Sequence, residues 1–122
     1  MVSEPTLGDL QAVLREFAER RDWRQFHTPK NLAMALAGEA GEVTSLFQWL
    51  TPEQSAAIMA EPGRAAQVRG ELADVFAYLL QLADALDVDL VDALHRKVSL
   101  NEERYPVHKS RGQATKYDEL GT

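Results

Sequence analysis

The sequence contains no cysteine and no long apolar run. Disulfides and thiolate metal ligands are therefore excluded, so any metal site must use oxygen or nitrogen donors. No segment approaches the ~20 apolar residues that a membrane-spanning helix needs, and the N-terminus lacks a secretory pattern, so we expect a cytoplasmic protein with no membrane partner. The net charge of -6 argues against a nucleic-acid polymer as partner, because such proteins present a basic face.

Strand alternation is nearly absent, and so are two common catalytic signatures. There is no glycine-rich phosphate loop of the G-x-x-x-x-G-K type and no credible serine–histidine–acid arrangement. The calcium-loop pattern of EF-hands is missing as well. These absences leave a helical protein whose chemistry, if any, depends on side chains brought together by helix packing.

Helix signals dominate the chain. Cap residues at Thr6, Thr28, Thr51 and Asp89 and apolar periodicity predict helices over about 7–21, 29–49, 52–60, 64–86 and 90–105, with Pro62-Gly63 breaking the third and Pro106 ending the last. The tail, 107–122, is expected to be irregular. We predict an all-α, four-helix-bundle-like fold with one additional short helix, as a single domain over 1–122.

Two pairs of carboxylates are the most informative feature. Glu39 with Glu42 and Glu71 with Asp74 each have a spacing of three, which places the two acids about 60° apart on a helix. The pairs fall on or beside the predicted apolar stripes, which on the first helix are Leu32, Leu36, Val43 and Leu46, and on the second Val68, Leu72, Val75, Leu79, Leu82 and Leu86. Acids gathered in this way repel one another unless protons or cations neutralise them.

Hard divalent cations prefer oxygen ligands, so the four acids predict a Mg²⁺ or Mn²⁺ site within the bundle. A di-iron bundle needs glutamate followed three residues later by histidine on two helices, and that pattern is not present. Gly38 and Gly41 stand inside the same helix, where each costs about 1 kcal/mol relative to alanine. We expect close approach of another helix, or of a metal-bound ligand, at these glycines.

Aromatic and polar residues near the acids are candidates for substrate contacts. Trp23, Trp49 and Tyr78 could stack on a nucleobase, although filling the core is the alternative. Asn101 stands where the fifth helix would be expected to carry leucine, with Lys97 and Arg104 one turn away on either side, in a locally basic segment. These three residues predict polar contacts to a ligand or to phosphate oxygens, and the alternatives are a hydrogen-bonded buried amide at Asn101 and a basic helix surface around it.

Several motifs together resemble one family. They are the run from Arg21 to His27, Glu39–Glu42 followed by Phe47-Gln48-Trp49, Glu71–Asp74 with Tyr78, and Asn101 through Arg104-Tyr105-Pro106. The pattern resembles the all-α MazG-like nucleoside triphosphate pyrophosphohydrolases, most closely their dCTP pyrophosphatase branch, over about residues 7–120.

The resemblance implies hydrolysis of a nucleoside triphosphate to the monophosphate and pyrophosphate, with dCTP and modified dCTP as substrates. It implies Glu39, Glu42, Glu71 and Asp74 as Mg²⁺ ligands, with Glu39 and Glu42 also catalytic. The nucleotide contacts that it implies come from Trp23, His27, Trp49, Tyr78, Lys97, Asn101 and Arg104.

The resemblance also implies a homodimer or homotetramer. Independently, four amphipathic helices in so short a chain are expected to leave apolar stripes partly uncovered, which favours symmetric pairing of subunits. Two alternatives stay open. One is a MazG-like hydrolase of dUTP or other non-canonical triphosphates. The other is a non-catalytic helical oligomerisation module whose acids pair with basic residues of a partner.

Overall fold

The computed structural model describes residues 3–121, and these residues form helices and connecting turns with no strand. The α-helices are α1 (Leu7–Arg20), α2 (Pro29–Phe47), α3 (Pro52–Ala56), α4 (Pro62–Ala85), α5 (Leu90–Arg104) and α6 (Val107–Ser110). Single 3₁₀ turns cover Arg24–Phe26, Ile58–Ala60 and Tyr117–Glu119. The predicted all-α class is confirmed, and no helix of the described residues is both long and apolar enough to cross a bilayer.

Local hydrogen bonds explain where the helices begin. The Thr6 hydroxyl accepts from the Asp9 amide while Asp9 accepts from the Thr6 amide, and Thr51 with Gln54 repeats this capping box. Thr28 caps α2 directly before Pro29, whose fixed φ suits the first helical position. These caps predict the helix starts because they need only neighbouring residues.

Two boundary predictions are wrong. Pro62 does not merely break the preceding helix but begins α4, because the Glu61 carboxylate accepts from the Gly63 and Arg64 amides and Pro62 takes the first helical position. The tail after Pro106 is not wholly irregular, since it contains α6 and the last 3₁₀ turn.

The chain divides into two compact units, 1–87 and 88–122, which are described separately, and a single domain over 1–122 stays a prediction. In the first unit α2 and α4 form the most extensive helix contact, and α1 also packs on α4. Two long-range hydrogen bonds align α1 with α4: Gln11 Nε2 donates to the Leu80 carbonyl at 2.9 Å, and Arg15 Nε donates to Asp84 at 2.7 Å. Because both residue numbers increase together, the two helices run in the same direction.

The buried core lies in the first unit and is built from small and branched residues: Ala18, Leu32, Ile58, Ala65, Val68, Leu80 and Ala83. The apolar stripe predicted for α4 is only partly correct. Val68 is buried, but Leu72 and Leu86 are each 53% exposed, and Leu80 and Ala83 are buried instead. Both α1 and α2 pack on α4, and the buried face of α4 accordingly includes Leu80 and the small residues Ala65 and Ala83.

In the second unit α5 ends at Arg104, whose guanidinium lies 4.5 Å from the Tyr117 ring centroid. Tyr105 meets the same ring edge-on, with centroids 6.0 Å apart. These aromatic and cation–π contacts bring the last 3₁₀ turn back to the end of α5 within this unit.

Candidate active site

Three of the four predicted acids converge where α2 meets α4. Carboxylate oxygens of Glu39, Glu71 and Asp74 all lie within 4.8 Å of one another. Glu39 and Glu71 are partly buried and Asp74 is exposed. Each acid lies in the middle of a long helix, so the packing of α2 on α4 and the side-chain conformations together set the spacing of the carboxylates.

Glu42 lies outside this cluster and its side chain is exposed. Its charge still reaches the cluster, because it contributes to the raised pKa of Glu39. The four acids therefore form three converging carboxylates with a fourth beside them.

The electrostatics of Glu39 reflect this crowding. Partial burial raises the pKa of Glu39, and repulsion from Asp74 and Glu71, a hydrogen bond with Glu71 and the charge of Glu42 raise it further. None of the four acids forms an ion pair with lysine or arginine within the described part of the chain, where the pairs are Arg15–Asp84, Arg24–Glu19 and Arg96–Asp92. The acids thus attract a proton or a cation.

The glycines on α2 do not mark a close helix approach. A Cβ added at Gly38 or Gly41 would meet no atom within 4 Å, so the expectation of a neighbouring helix against them is wrong for the described residues. Both glycines are exposed. The alternative of a ligand near this surface stays a prediction.

The three aromatic candidates lie in different surroundings. Trp23 packs edge-on against Phe17, with ring centroids 5.8 Å apart, and is 45% exposed. Trp49 follows the end of α2 and is 87% exposed, and Tyr78 on α4 is partly buried. A tryptophan as exposed as Trp49 has no packing role within the described residues, so its contribution to a nucleotide pocket stays a prediction.

A cavity of about 200 Å³ opens beside the α2–α4 contact. Among the predicted substrate residues it includes only His27, which is partly buried. Its other polar walls come from Arg15 and Arg24 and, on α4, from Gln81 and Asp84. Sequence reasoning included Arg24 only within the run from Arg21 to His27, and it missed Arg15, Gln81 and Asp84. Arg15 and Asp84 are 69 residues apart, so no local spacing indicates their pairing.

The polar candidates on α5 belong to the second unit. Lys97 is exposed, while Asn101 and Arg104 are partly buried. Arg104 also contacts the Tyr117 ring, which orients its guanidinium. Contact of these three side chains with phosphate stays a prediction.

Comparison with known proteins places the sequence in a family. The sequence model of the MazG-like family matches residues 35–120. The chain is 48% identical to dCTP pyrophosphatase 1 of Bos taurus over 118 residues, which cover 97% of this chain and 70% of that protein. It is 45% identical to dCTP pyrophosphatase 1 of Homo sapiens over 117 residues, covering 96% and 69%.

Its structure is similar to the crystal structure of a pyrophosphatase from Archaeoglobus fulgidus, with a TM-score of 0.76, 34% sequence identity, and coverage of 87% of this chain and 99% of that one. The match to the family sequence model, the whole-chain identity to the curated relatives and the shared helical fold agree. This chain belongs to the MazG-like family.

Proposed function

We propose that this chain is a magnesium-dependent nucleoside triphosphate pyrophosphohydrolase, with dCTP and modified dCTP as its preferred substrates. It would cleave between the α and β phosphates and release the monophosphate and pyrophosphate. The observation that carries the proposal is the convergence of Glu39, Glu71 and Asp74 without a basic partner among the described residues. The 45–48% identity to dCTP pyrophosphatases names the substrate class.

The acid cluster fits a hard divalent cation. Two oxygens on opposite sides of a Mg²⁺ ion at ~2.1 Å each are ~4.2 Å apart, and around Ca²⁺ they are ~5 Å apart. The 4.8 Å limit on the three carboxylate oxygens is therefore compatible with one ion after small side-chain adjustments. Mg²⁺ keeps several ligand positions for water and substrate phosphates, which suits a triphosphate better than an all-protein cage.

Glu39, Glu71 and Asp74 would hold the ion, with Glu42 completing the acidic surface. A bound dication supplies charge neutralisation at the phosphate oxygens. Glu42 and Glu39, the two acids on α2, are the candidates to accept the proton of the attacking water. Glu42 is the first choice, because it lies outside the converging cluster that would hold the ion. As the water oxygen bonds to the α-phosphorus, the bond to the bridging oxygen breaks and pyrophosphate leaves.

The remaining predicted contacts complete the proposal. Trp23, His27, Trp49 and Tyr78 would contact the nucleoside, and Lys97, Asn101 and Arg104 would meet phosphate oxygens or a neighbouring subunit. A cytoplasmic location also stays a prediction.

The test is pyrophosphate release from a panel of nucleoside triphosphates, including dCTP, 5-modified dCTP and dUTP, with and without Mg²⁺. We expect dCTP and its modified forms to be turned over fastest, and only with the metal. Glu42→Gln should reduce turnover at least about a hundredfold while the helical circular dichroism is retained. Glu16→Gln, which changes an exposed glutamate on α1, is the matched control and should leave turnover unchanged.

The outcome decides between the open alternatives. If dUTP were the best substrate, the family assignment would stand and the base preference would be wrong. If no triphosphate were hydrolysed and Mg²⁺ did not bind, the non-catalytic module would be the better interpretation.

We also propose that the protein works as a homodimer or homotetramer. On α5 the side chains of Val91, Leu94 and Val98 are 52%, 65% and 50% exposed, and they share one face of the helix at spacings of three and four. Such a face is normally covered in a soluble protein, and a second copy is the available partner. Sedimentation at micromolar concentration should give a multiple of the chain mass, and a monomeric mass would reject the proposal.

A further inference from the structure

The Arg15–Asp84 ion pair faces a cavity instead of being enclosed or fully solvated. Arg15 Nε donates to Asp84 Oδ2 at 2.7 Å, and the two side chains are 45% and 29% exposed. Both residues line the cavity beside the α2–α4 contact. The other Asp84 oxygen can still accept a hydrogen bond, and the two terminal nitrogens of Arg15 can still donate, since neither bonds another described residue.

The polar edge of the cavity continues along α4. Gln81 lies one turn before Asp84, and its Nε2 donates to the Ala77 carbonyl of the same helix at 3.1 Å. This bond anchors the amide and leaves its carbonyl oxygen as a further acceptor. One edge of the cavity therefore presents donors and acceptors side by side.

The rest of the cavity is small and mixed, because Arg24 and His27 line it beside four apolar residues. Leu14 and Ala18 of α1, Leu32 of α2 and Ala85 of α4 contribute to its walls. Its volume of about 200 Å³ is below the ~300–1,000 Å³ that is usual for pockets of drug-sized ligands. The cavity has room for one small ring system rather than for a whole nucleotide.

The cavity and the acid cluster lie on the same two helices. Leu32 precedes Glu39 by seven residues on α2, and Gln81 follows Asp74 by seven on α4. At 1.5 Å per residue each separation is ~10 Å along the helix axis. A ring placed in the cavity would thus have the acid cluster two turns away, where the phosphates of the same nucleotide would be expected.

We propose that this cavity holds the base of a cytosine nucleotide and that the Arg15–Asp84 pair distinguishes cytosine from uracil, an inference that rests on the proposed nucleotide hydrolysis. Asp84 accepts a hydrogen bond from the exocyclic amino group, and Arg15 donates to the acceptors of the same base edge. Uracil carries an acceptor oxygen in place of that amino group, and the Asp84 carboxylate repels this oxygen. The small cavity disfavours the larger purines.

Two variants and one control test the assignment. Asp84→Asn replaces an obligate acceptor by an amide that can also donate, and the double variant Arg15→Asp/Asp84→Arg rebuilds the ion pair with donor and acceptor exchanged. Asp92→Asn is the matched control, because it alters the Arg96–Asp92 pair, which has the same 2.7 Å Nε–Oδ2 distance, and neither of these residues lines the cavity. Calorimetric binding of dCMP, dUMP and dGMP, which needs neither catalysis nor a triphosphate, is measured beside thermal stability and triphosphate hydrolysis.

We expect dCMP to bind most tightly to the unmodified protein. Asp84→Asn should reduce the preference for dCMP over dUMP at least about tenfold. The exchanged pair should restore the melting temperature and shift the preference toward dUMP, and Asp92→Asn should keep the original preference. If the exchanged pair did not fold, the Asp84→Asn ratio would decide alone.

An unchanged preference in Asp84→Asn would show that the pair only links α1 to α4. Equal binding of dGMP, or no binding of dCMP, would overturn the placement of the base. Selective dCMP binding without any triphosphate hydrolysis would instead retain the base site and reject the proposed reaction.

Discussion

Replacing Glu71 by glutamine should have opposite effects on stability in the absence and presence of Mg²⁺. Three carboxylates lie within 4.8 Å of one another, which gives three repulsive pairs, and Glu71 takes part in two of them. Without metal the substitution removes those two repulsions and keeps a side chain of the same shape. We therefore expect metal-free Glu71→Gln to melt at the same temperature as the unmodified protein or higher.

With Mg²⁺ the unmodified protein should melt at a higher temperature than Glu71→Gln. A ligand that binds only the folded state stabilises it by RT ln(1 + [L]/Kd), which is about 2.7 kcal/mol at one hundred times the Kd. For a chain of this size that corresponds to an increase of roughly 10 °C in the melting temperature. If losing one of three ligands weakens binding a hundredfold, the same Mg²⁺ concentration adds only about 0.4 kcal/mol, so the variant should gain less than roughly 3 °C.

The assay is a thermal melt followed by circular dichroism at 222 nm, with and without Mg²⁺, at one protein concentration. Glu16→Gln is again the matched control, and it should respond to Mg²⁺ as the unmodified protein does. The reasoning would be refuted if Mg²⁺ stabilised Glu71→Gln as much as the unmodified protein. A large loss of stability in the metal-free variant would refute it too, because Glu71 would then be making a favourable contact.

Three further sets of substitutions test the structure. Gly38→Ala and Gly41→Ala should each stabilise the protein by about 0.5–1 kcal/mol in urea unfolding, because a methyl group at either position meets open space. If a variant gained stability but lost turnover, that result would indicate a ligand at this surface. Backbone hydrogen bonds from Gly63 and Arg64 lower the pKa of Glu61. The stabilising contribution of Glu61 is therefore present above the ordinary glutamate range and is lost as the pH falls through the lowered value. The difference in melting temperature between the unmodified protein and Glu61→Gln, measured at several pH values, should narrow in acid. Leu80→Ala should cost about 2–5 kcal/mol in urea unfolding and Leu72→Ala less than half of that at low protein concentration, while similar costs would mean that Leu72 is covered.

The sequence predicts the helix starts and the acid cluster because both depend on short spacings. Thr28 before Pro29 and the Thr51–Gln54 box involve residues three apart or fewer, and each forms the expected hydrogen bond. Glu71 and Asp74 share one helix face by the same geometry, and antiparallel packing of α2 on α4 is enough to bring Glu39 to them. Propensity and periodicity contain this information before any tertiary contact is known.

The buried face of α4 and the cavity needed information that one helix does not carry. Leu72, Leu79 and Leu80 together span a wide arc of α4, so periodicity alone did not select the arc that packs against α1 and α2. Arg15 and Asp84 meet only after two distant helices align in the same direction. Such pairs depend on crossing geometry and register, which no local pattern encodes.

Stability and the proposed chemistry compete at the α2–α4 contact. This is the most extensive helix contact of the described elements, and burial of Leu32, Val68 and Leu80 in the first unit favours folding. The same two helices bring together acids that repel one another, and this repulsion lowers the stability of the folded state. Apolar packing must therefore offset the repulsion in the metal-free chain, and a bound dication would relieve it. Substitutions that spread α2 from α4 should consequently weaken metal binding before they unfold the protein, because the carboxylates tolerate less displacement than the apolar contacts do.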